Sequence, residues 1–467
     1  MNNLSKRKNS ILAIIFIGTL ILLTPSAFIS WYYRVATFYS SFWLDFIAEV
    51  VVYLIHIIGM LLFSVAIRKR KTFIWNKKTL IYALSLWFLL SFASIATDVG
   101  YLVLILGLVT AIVDGFLFGY YLTALSDLIP AGNRGLVFGG AGALSSIGTY
   151  LISLPMKGSF LQQPEVWILY FVITLAAGGC GWVLLSCADD TEGESVPNLT
   201  EKAVDEGKKS IRTYIVICGL TILLLSMVGN IGFYFPSADI TEAGINLQFS
   251  RAFYSIGLLV AGLIHDRNIK SGLILSSTTI LFPFVSLLLE EHLTGSLVVW
   301  ILAYIILGFV SVSRVLLFVN PAGGKKKYLF LAPIGFVFGR TGEAIGTSLG
   351  IFLTPYRLVH ISATALVCIL SMLSVFFLFD FMTRKEMEWQ RWKEGMTYRT
   401  EEETPEVSPR EQQVLKMLLN GQTNKEIATE LFISENTVKY HVKNIYKKTG
   451  CNSRKELIQH YYKGKDL

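Results

Sequence analysis

Two stretches of the chain, GLVFGGAG at residues 135–142 and GFVFGRTG at residues 335–342, are near copies of each other. Each one opens the fifth of six apolar segments in its half of the chain. Glycines spaced four residues apart are also generic helix-packing chemistry, which is an alternative explanation of the similarity. The shared Val-Phe pair and the equivalent position in each half favour a true internal repeat. Repeated halves of this kind are typical of transporter folds.

The chain contains twelve apolar segments that are long enough to span a bilayer, and the two glycine motifs lie in two of them. They fall at roughly 11–31, 43–67, 79–97, 100–125, 135–154, 165–187, 213–235, 250–265, 271–289, 297–319, 328–352 and 358–382. The chain is 53% hydrophobic and only 16% charged, and a soluble protein of this composition would expose large apolar patches and aggregate. We therefore predict an all-α fold: a polytopic bundle of about 12 membrane helices in a 6+6 pseudo-repeat, followed by a small four-helix domain.

The N-terminus combines basic residues at 6–8 with an apolar stretch from Ile11 to about Ser30, as a signal peptide would. This stretch is long enough to span a membrane, and no clear small-residue cleavage site follows it. We interpret it as the first membrane helix.

The positions of lysine and arginine test the predicted topology, because these residues concentrate in cytoplasmic loops. With the N-terminus placed in the cytoplasm, nineteen of them lie in the inside segments and four lie in the outside loops. The bias predicts that both the N-terminus and the C-terminus of this membrane protein are cytoplasmic.

The domain organisation follows from these segments and from a fall in hydropathy near residue 383. We predict a membrane domain at 1–382 with halves at about 1–187 and 213–382, a cytoplasmic loop at 188–212, a linker at 383–405 that begins as a helical extension, and a soluble domain at 406–467.

Short loops between the apolar segments carry a second set of motifs. Gly262-Leu-Ile-His-Asp266-Arg267, between spans eight and nine, resembles the conserved loop of the major facilitator superfamily, although Asn268 begins the segment where that family has Gly-Arg. Pro130…Arg134-Gly135 is similar to the family's loop between spans four and five, whereas the companion loop at 64–71 lacks the Gly and the Asp. The resemblance implies two six-helix halves around a central cavity. It does not by itself establish transport.

Ionisable residues within the predicted spans are candidate functional groups, because charges in the bilayer are costly. Asp114 lies near the middle of span four, and Arg340 and Glu343 share one face of span eleven. We predict that these three residues and His56 line a ligand pocket. The alternative is a structural ion pair that locks the two halves together.

The repeat adds to this prediction. Gly140 and Ala143 stand in the first half where Arg340 and Glu343 stand in the second, so the charges break the internal symmetry. Arg314 lies nearer the inner end of its span, and we expect it to extend toward the membrane surface.

The C-terminal domain carries helix-start signals at regular intervals. Capping boxes occur at Ser408–Glu411, Thr423–Glu426 and Ser453–Glu456, and Ser434 begins a further helix. Residues 406–467 contain eleven Lys or Arg against seven Asp or Glu, and basic side chains on one helix favour binding to phosphates.

The motif of this domain is specific. It reads Pro409-Arg-Glu411, Val414-Leu415, Gly421, Asn424-Lys-Glu-Ile-Ala428, Leu431, Ile433-Ser434, Thr437-Val-Lys439, His441, Ile445, Lys448 and Arg454. This pattern resembles the LuxR/FixJ/NarL helix-turn-helix over its full length, in which the helix matching 434–448 is the recognition helix. The resemblance implies base contacts by Lys439, Tyr440 and Lys443. It implies phosphate contacts by Thr423, Asn436, Thr437 and Lys447.

Together these features predict a membrane-bound one-component transcriptional regulator. Its partners are double-stranded DNA, the lipid bilayer and an unknown small-molecule ligand, and we expect a homodimer on DNA because one module buries too little DNA for strong specificity. The alternative is an active secondary transporter that carries a fused regulatory domain. We expect no enzyme, cofactor or metal site, since the chain has no phosphate loop, metal cluster, nucleophile elbow or kinase motif.

Overall fold

A computed structural model of the chain provides the three-dimensional structure. It describes residues 3–39, 46–69, 76–154, 165–186, 211–231, 247–281, 283, 296–322, 328–353, 355–402, 408–431, 433–454 and 456–458. These residues divide into two compact units, Met1–Phe379 and Asp380–Leu467. The predicted cytoplasmic loop at 188–212 lies outside the described residues except for its last two positions, and so does the end of the linker at 403–405.

The described part of the first unit is mostly helical within its predicted spans, with turns at Phe253 and just before Ile334. The first half contains α1 (Asn3–Ala36), a π-helical turn (Ile47–Val51) leading into α2 (Val52–Lys69), α3 (Lys77–Ala96), α4 (Gly100–Leu128), α5 (Arg134–Ser153) and α6 (Glu165–Ser186). The second half contains α7 (Ile211–Ile231), α8 (Leu247–Ala252), α9 (Tyr254–Arg267), α10 (Ile269–Ser276), α11 (Ser296–Ala322), α12 (Ile334–Leu353) and the first part of α13 (Arg357–Glu402), whose residues after Phe379 belong to the second unit. Each of the twelve predicted spans contains one of these helices.

The helices have the length and composition that a membrane requires. Within the described ranges, eight of them are long and apolar enough to cross a bilayer. The predicted span at 250–265 is divided between α8 and α9, and the predicted span at 271–289 is described only as far as residue 283. The helix α13 continues through the start of the predicted linker as far as Glu402.

Glycines set the closest helix crossings, and one crossing is repeated in the two halves. A methyl group on Gly59 of α2 would lie 1.9 Å from the carbonyl oxygen of Ile112 on α4. A methyl group on Gly257 of α9 would lie 2.0 Å from the carbonyl oxygen of Ile305 on α11. Because only glycine permits such close backbone contact, the matching crossings support the internal repeat that the two glycine motifs predicted.

The two halves of the first unit meet along α5 and α9. Gly135 and Gly262 face each other there, and a methyl group on Gly262 would lie 2.3 Å from the carbonyl oxygen of Gly135. Asp266, in the last turn of α9, accepts hydrogen bonds from the amides of Gly135 and Leu136, each at 2.7 Å. Its carboxylate therefore caps the first turn of α5, where helix amides lack partners within their own helix.

Arg134 makes a second connection between the halves, close to the first. It is buried, and its guanidinium donates to the carbonyl oxygens of Ser126 and Ile129 at 2.6 and 2.8 Å. It also donates at 3.3 Å to the side-chain oxygen of Asn320 in α11. The loop between spans four and five, which is similar to that of the superfamily, is thus hydrogen-bonded to the end of span ten.

The second unit contains three helices with complete described bounds: α14 (Pro409–Leu419), α15 (Asn424–Glu430) and α16 (Glu435–Thr449). Ser408 and Thr423 form the predicted capping boxes, and Ser434 caps α16. At the fourth predicted helix start, the Glu456 amide donates to Ser453 Oγ at 3.1 Å. The end of α16 is set by Gly450, whose φ of 70° is a left-handed conformation that glycine adopts readily.

Candidate functional site

The charged residues of span eleven form a compact cluster with one residue of span ten. One carboxylate oxygen of Glu343 accepts a hydrogen bond from Arg340 at 2.7 Å, and the other accepts a hydrogen bond from Arg314. All three side chains are largely buried, with 12% of Glu343, 11% of Arg314 and 18% of Arg340 exposed. Two guanidinium groups thus share one carboxylate inside the membrane unit.

The place of Arg314 corrects the sequence-based expectation. We expected its side chain to extend toward the membrane surface, but it turns inward to Glu343, and its guanidinium lies 4.3 Å from the ring centre of Phe336. Buried charges require partners because the desolvation of an isolated charge is costly. The Arg314–Glu343 pair joins α11 to α12, and the Arg340–Glu343 pair lies within α12. Both pairs are inside the second half, so they do not by themselves lock the two halves together.

Contact between the halves at this cluster is made by an aromatic ring. The guanidinium of Arg340 lies 4.6 Å from the ring centre of Tyr53 on α2. Such cation–π contacts are favourable by about 0.5–2 kcal/mol when they are partly desolvated. The ligand-pocket candidate Arg340 therefore contacts both halves of the bundle.

Asp114 lies in a different set of bonds. Its Oδ1 accepts from Thr24 Oγ1 on α1 at 2.9 Å and from Trp87 Nε1 on α3 at 3.0 Å. The space beside it is lined by α1, α3 and α4, with Phe118 and Tyr121 among the lining residues. The described side chains are packed so tightly there that no water-sized sphere fits.

His56 is linked to the arginine cluster through Phe118. The ring of His56 packs edge-on against Phe118, with 4.6 Å between the ring centres, and Phe118 packs in the same way against Phe336 at 5.3 Å. Phe336 is the ring that lies against Arg314. The structure therefore places His56, Arg340 and Glu343 along one set of contacts between the two halves, and Asp114 lines the space beside Phe118.

Several polar atoms in this region have no hydrogen-bond partner among the described residues. They are Nε2 of His56, the hydroxyl oxygen of Tyr121, Nε of Arg314 and Nε of Arg340. The side chains of His56 and Tyr121 are almost fully buried, with 4% and 0% exposed. Because most buried polar groups in proteins are bonded, such a concentration marks a candidate binding site.

The sequence did not identify Arg314, Tyr53, Phe118 or Tyr121 as members of this site. Arg314 did carry a signal, because it is a charged residue within an apolar segment. We had expected its side chain to reach the membrane surface, so we did not include it in the site. The three aromatic residues carried no signal, because aromatic residues on a membrane helix are most often ordinary packing residues.

The C-terminal unit presents a second candidate site on α16. Val438, Val442 and Ile445 are buried in its core, as their helical spacing predicts. The remaining surface of the helix carries the predicted DNA contacts: Lys439, Tyr440, Lys443, Asn436 and Lys447 are all exposed. Tyr440 has 63% of its surface exposed. The helix is therefore held by one face and offers a basic, aromatic surface on the other.

The other predicted DNA contacts have partners inside the domain. Thr423 donates to a Glu426 oxygen at 2.9 Å within its capping box, and the hydroxyl groups of Thr437 and Ser434 are 2.8 Å apart. Lys448 differs from its neighbour Lys447, because its Nζ lies 2.8 Å from Glu411. It connects α16 to α14.

Similarity to known proteins agrees with both units. The Major Facilitator Superfamily model matches residues 43–321, and the model of bacterial regulatory proteins of the luxR family matches residues 406–461. Among solved structures, the human organic anion transporter MFSD10 (TETRAN) is 13% identical, with a TM-score of 0.54 over 79% of this chain and 99% of that one.

A Major Facilitator Superfamily transporter, FucP, in the outward conformation is 12% identical, with a TM-score of 0.51 over 80% of this chain and 97% of that one. At such identities the likeness shows the fold alone, and it confirms the predicted all-α, two-half membrane bundle. The chain belongs to the Major Facilitator Superfamily, and it carries a LuxR-type DNA-binding domain at its C-terminal end.

Proposed function

We propose that this protein is a membrane-bound one-component transcriptional regulator. In this proposal, the membrane domain at 1–382 binds a small molecule and thereby controls sequence-specific DNA binding by the domain at 406–467. The linker at 383–405 connects them, both termini are cytoplasmic, and the regulator binds DNA as a homodimer.

The observation that carries the proposal is the exposed basic face of α16. Lys439, Tyr440 and Lys443 are exposed while the opposite side of the helix packs into the core. Lysines can bind the acceptor atoms of guanine in the major groove, and a recognition helix enters the groove with such a face. We assign base contacts to these three residues. We assign phosphate contacts to Thr423, Asn436, Thr437 and Lys447.

The sensing role is supported by the buried charges in the membrane domain. Ionisable groups in membrane spans are rare and often mark a functional site. A ligand that contacts His56 or Asp114 together with Arg340 or Glu343 would touch residues from both halves, so it could favour one arrangement of the halves over another. A ligand changes DNA binding only if its affinity differs between the two arrangements.

The test is DNA occupancy across the genome by the full-length protein in its native cell. We compare the wild type with the double variant Lys439→Ala/Lys443→Ala and with the control Lys416→Ala, which removes an exposed lysine from α14. The expected result is discrete peaks that the double variant loses and the control keeps. Peaks that persist in the double variant would show that α16 does not read DNA.

A second candidate function is transport by a secondary transporter with a fused regulatory domain. It is favoured by the coverage of the two similar structures, because the membrane unit spans nearly the whole length of proteins described as transporters. Uptake into vesicles distinguishes the two. Dissipation of the proton gradient would abolish proton-coupled transport, whereas ligand-dependent DNA binding would continue.

A further inference from the structure

We propose that the small molecule is an organic anion, and that its acidic group binds Arg340 and Arg314 beside Glu343. This inference rests on the proposed function only in assuming that the membrane domain takes a ligand. The chemical class of that ligand follows from the charges, unpartnered donors and rings of the cluster.

The first step is the balance of charge. Arg314 and Arg340 are permanently protonated, because guanidinium groups do not lose their proton in proteins. Both donate to the single carboxylate of Glu343, one to each oxygen. One positive charge is therefore left without an acid in the cluster, and an uncompensated charge within the membrane is costly.

Asp114, the other acid of this region, is held elsewhere. Its Oδ1 atom accepts hydrogen bonds from Thr24 on α1 and from Trp87 on α3. Neither guanidinium donates to it among the described hydrogen bonds. An incoming anion would supply the missing negative charge directly at the arginines.

The second step is the supply of free donors. The Nε–H groups of Arg314 and Arg340 have no acceptor among the residues that the structure describes, and the same is true of the Tyr121 hydroxyl. The guanidinium fork suits carboxylate and phosphate groups, to which it can donate two parallel hydrogen bonds. Arg340 keeps 18% of its side chain exposed, so an anion can approach it.

The third step is the surroundings of the charges. The rings of Tyr53 and Phe336 cover the two guanidinium groups, and Phe118 and His56 continue the aromatic wall. Small-molecule sites are mostly apolar, with a few polar groups that fix orientation. A carboxylate joined to an apolar or aromatic body matches this arrangement better than a small inorganic ion does.

The internal repeat supplies an independent argument. The first half packs the equivalent stretch of α5 with Gly140 and Ala143, where α12 has Arg340 and Glu343. The fold therefore forms this helix without charges in one half. An anionic ligand would account for the arginine that the second half carries at this place.

The experiment uses the full-length protein in detergent and follows thermal unfolding by tryptophan fluorescence. Seven of the nine tryptophans lie in the membrane domain at 1–382, and the other two, Trp389 and Trp392, lie at the start of the linker, so most of the signal follows the membrane domain. The probes are acetate, hexanoate and benzoate, each paired with its neutral amide, and benzylamine as a cation, at constant chloride and pH. We expect hexanoate or benzoate to raise the midpoint by at least about 3 °C at saturation, and the amides and benzylamine to leave it unchanged.

The variant Arg340→Gln tests the site itself. It leaves Arg314 and Glu343 as a balanced pair, so we expect it to fold and to lose the response to the carboxylates. Arg384→Gln is the matched control, because it removes an arginine that is 69% exposed on α13, and we expect it to respond like the wild type. If Arg340→Gln does not fold, competition between radiolabelled benzoate and benzamide on the wild type replaces it.

Three results would overturn the proposal: equal stabilisation by amides, no stabilisation by any carboxylate, or a full response in Arg340→Gln. Capture of target DNA by the same samples separates the two proposals. Stabilisation by benzoate without a change in DNA capture contradicts ligand-controlled DNA binding but supports the anion site. DNA capture that responds only to neutral molecules contradicts the anion site but supports the proposed ligand-controlled regulator.

Discussion

Lys448 and Glu411 connect the third helix of the C-terminal unit to the first. Lys448 Nζ lies 2.8 Å from Oε2 of Glu411, and the same oxygen accepts the Ser408 amide at 2.8 Å. Glu411 is 96% buried, with 4% of its surface exposed. The capping box of α14 and the orientation of α16 therefore depend on one carboxylate.

The first prediction concerns pH. The hydrogen bond from Lys448, followed by those from Ser408, lowers the pKa of Glu411 from 4.5 to about 2. Since the folded state holds this group ionised, its contribution to stability is complete above pH 4.5 and is lost as the pH falls toward 2. We expect the α14 amides of the full-length protein to lose protection from hydrogen exchange over this range, after correction for intrinsic rates.

The variant Glu411→Gln is the control for that prediction. Glutamine can keep part of the capping box but cannot ionise, so its protection should be lower at pH 7 and should show no step below pH 4.5. A wild type and a variant with the same pH profile would contradict the role given to Glu411.

The second prediction compares two adjacent lysines. Lys448→Met should leave Glu411 buried without its cation and destabilise the domain by about 1–3 kcal/mol. Lys447→Met should leave the stability unchanged, because Lys447 is exposed. It should weaken DNA binding at all sequences and reduce the salt slope by about one. Hydrogen exchange measures the stability of both variants, and DNA binding at several salt concentrations measures their phosphate contacts. A stable Lys448→Met beside a destabilised Lys447→Met would contradict the roles given to the two lysines.

The third prediction concerns the membrane charges. Glu343→Gln leaves Arg314 and Arg340 without their carboxylate, which should cost about 3–5 kcal/mol. The double variant Glu343→Gln/Arg314→Gln should recover part of that loss, because it also removes an unpaired charge. The midpoint of thermal unfolding, followed by tryptophan fluorescence, measures both. A double variant less stable than Glu343→Gln alone would mean that the two residues do not act as a pair.

The fourth prediction concerns the contact between α5 and α9. In Gly262→Ala, the added methyl group would lie 2.3 Å from the carbonyl oxygen of Gly135. The helices must separate to accept it, and we expect a loss of about 1–3 kcal/mol. Gly179→Ala on α6 is the control, because nothing lies within 4 Å of its added methyl group, and alanine favours a helix. Equal unfolding midpoints for the two variants would show that the crossing tolerates side chains.

The helical architecture could be predicted because its signals are local. Each predicted span contains a described helix, and the capping residues at Ser408, Thr423 and Ser434 begin helices as expected. The buried face of α16 followed from the spacing of Val438, Val442 and Ile445. Hydropathy, helix capping and helical periodicity act over a few residues, so they can be read from the order of residues along the chain.

The partners of the charged residues could not be predicted in the same way. Arg340 and Glu343 are three residues apart on one helix, and their proximity followed from helical geometry. Arg314 is 29 residues away from Glu343, and His56 meets Phe118 from another helix. These contacts depend on which helices are neighbours and on how each is rotated about its axis.

The sequence by itself determined that this chain forms two similar sets of membrane helices and a basic helix-turn-helix domain. Only the tertiary structure decided that Arg314 turns inward, that Lys448 pairs with Glu411 on another helix, and that His56 is linked to the arginines through Phe118. The reason is that close packing between helices selects one arrangement of side chains among many that share the same periodicity.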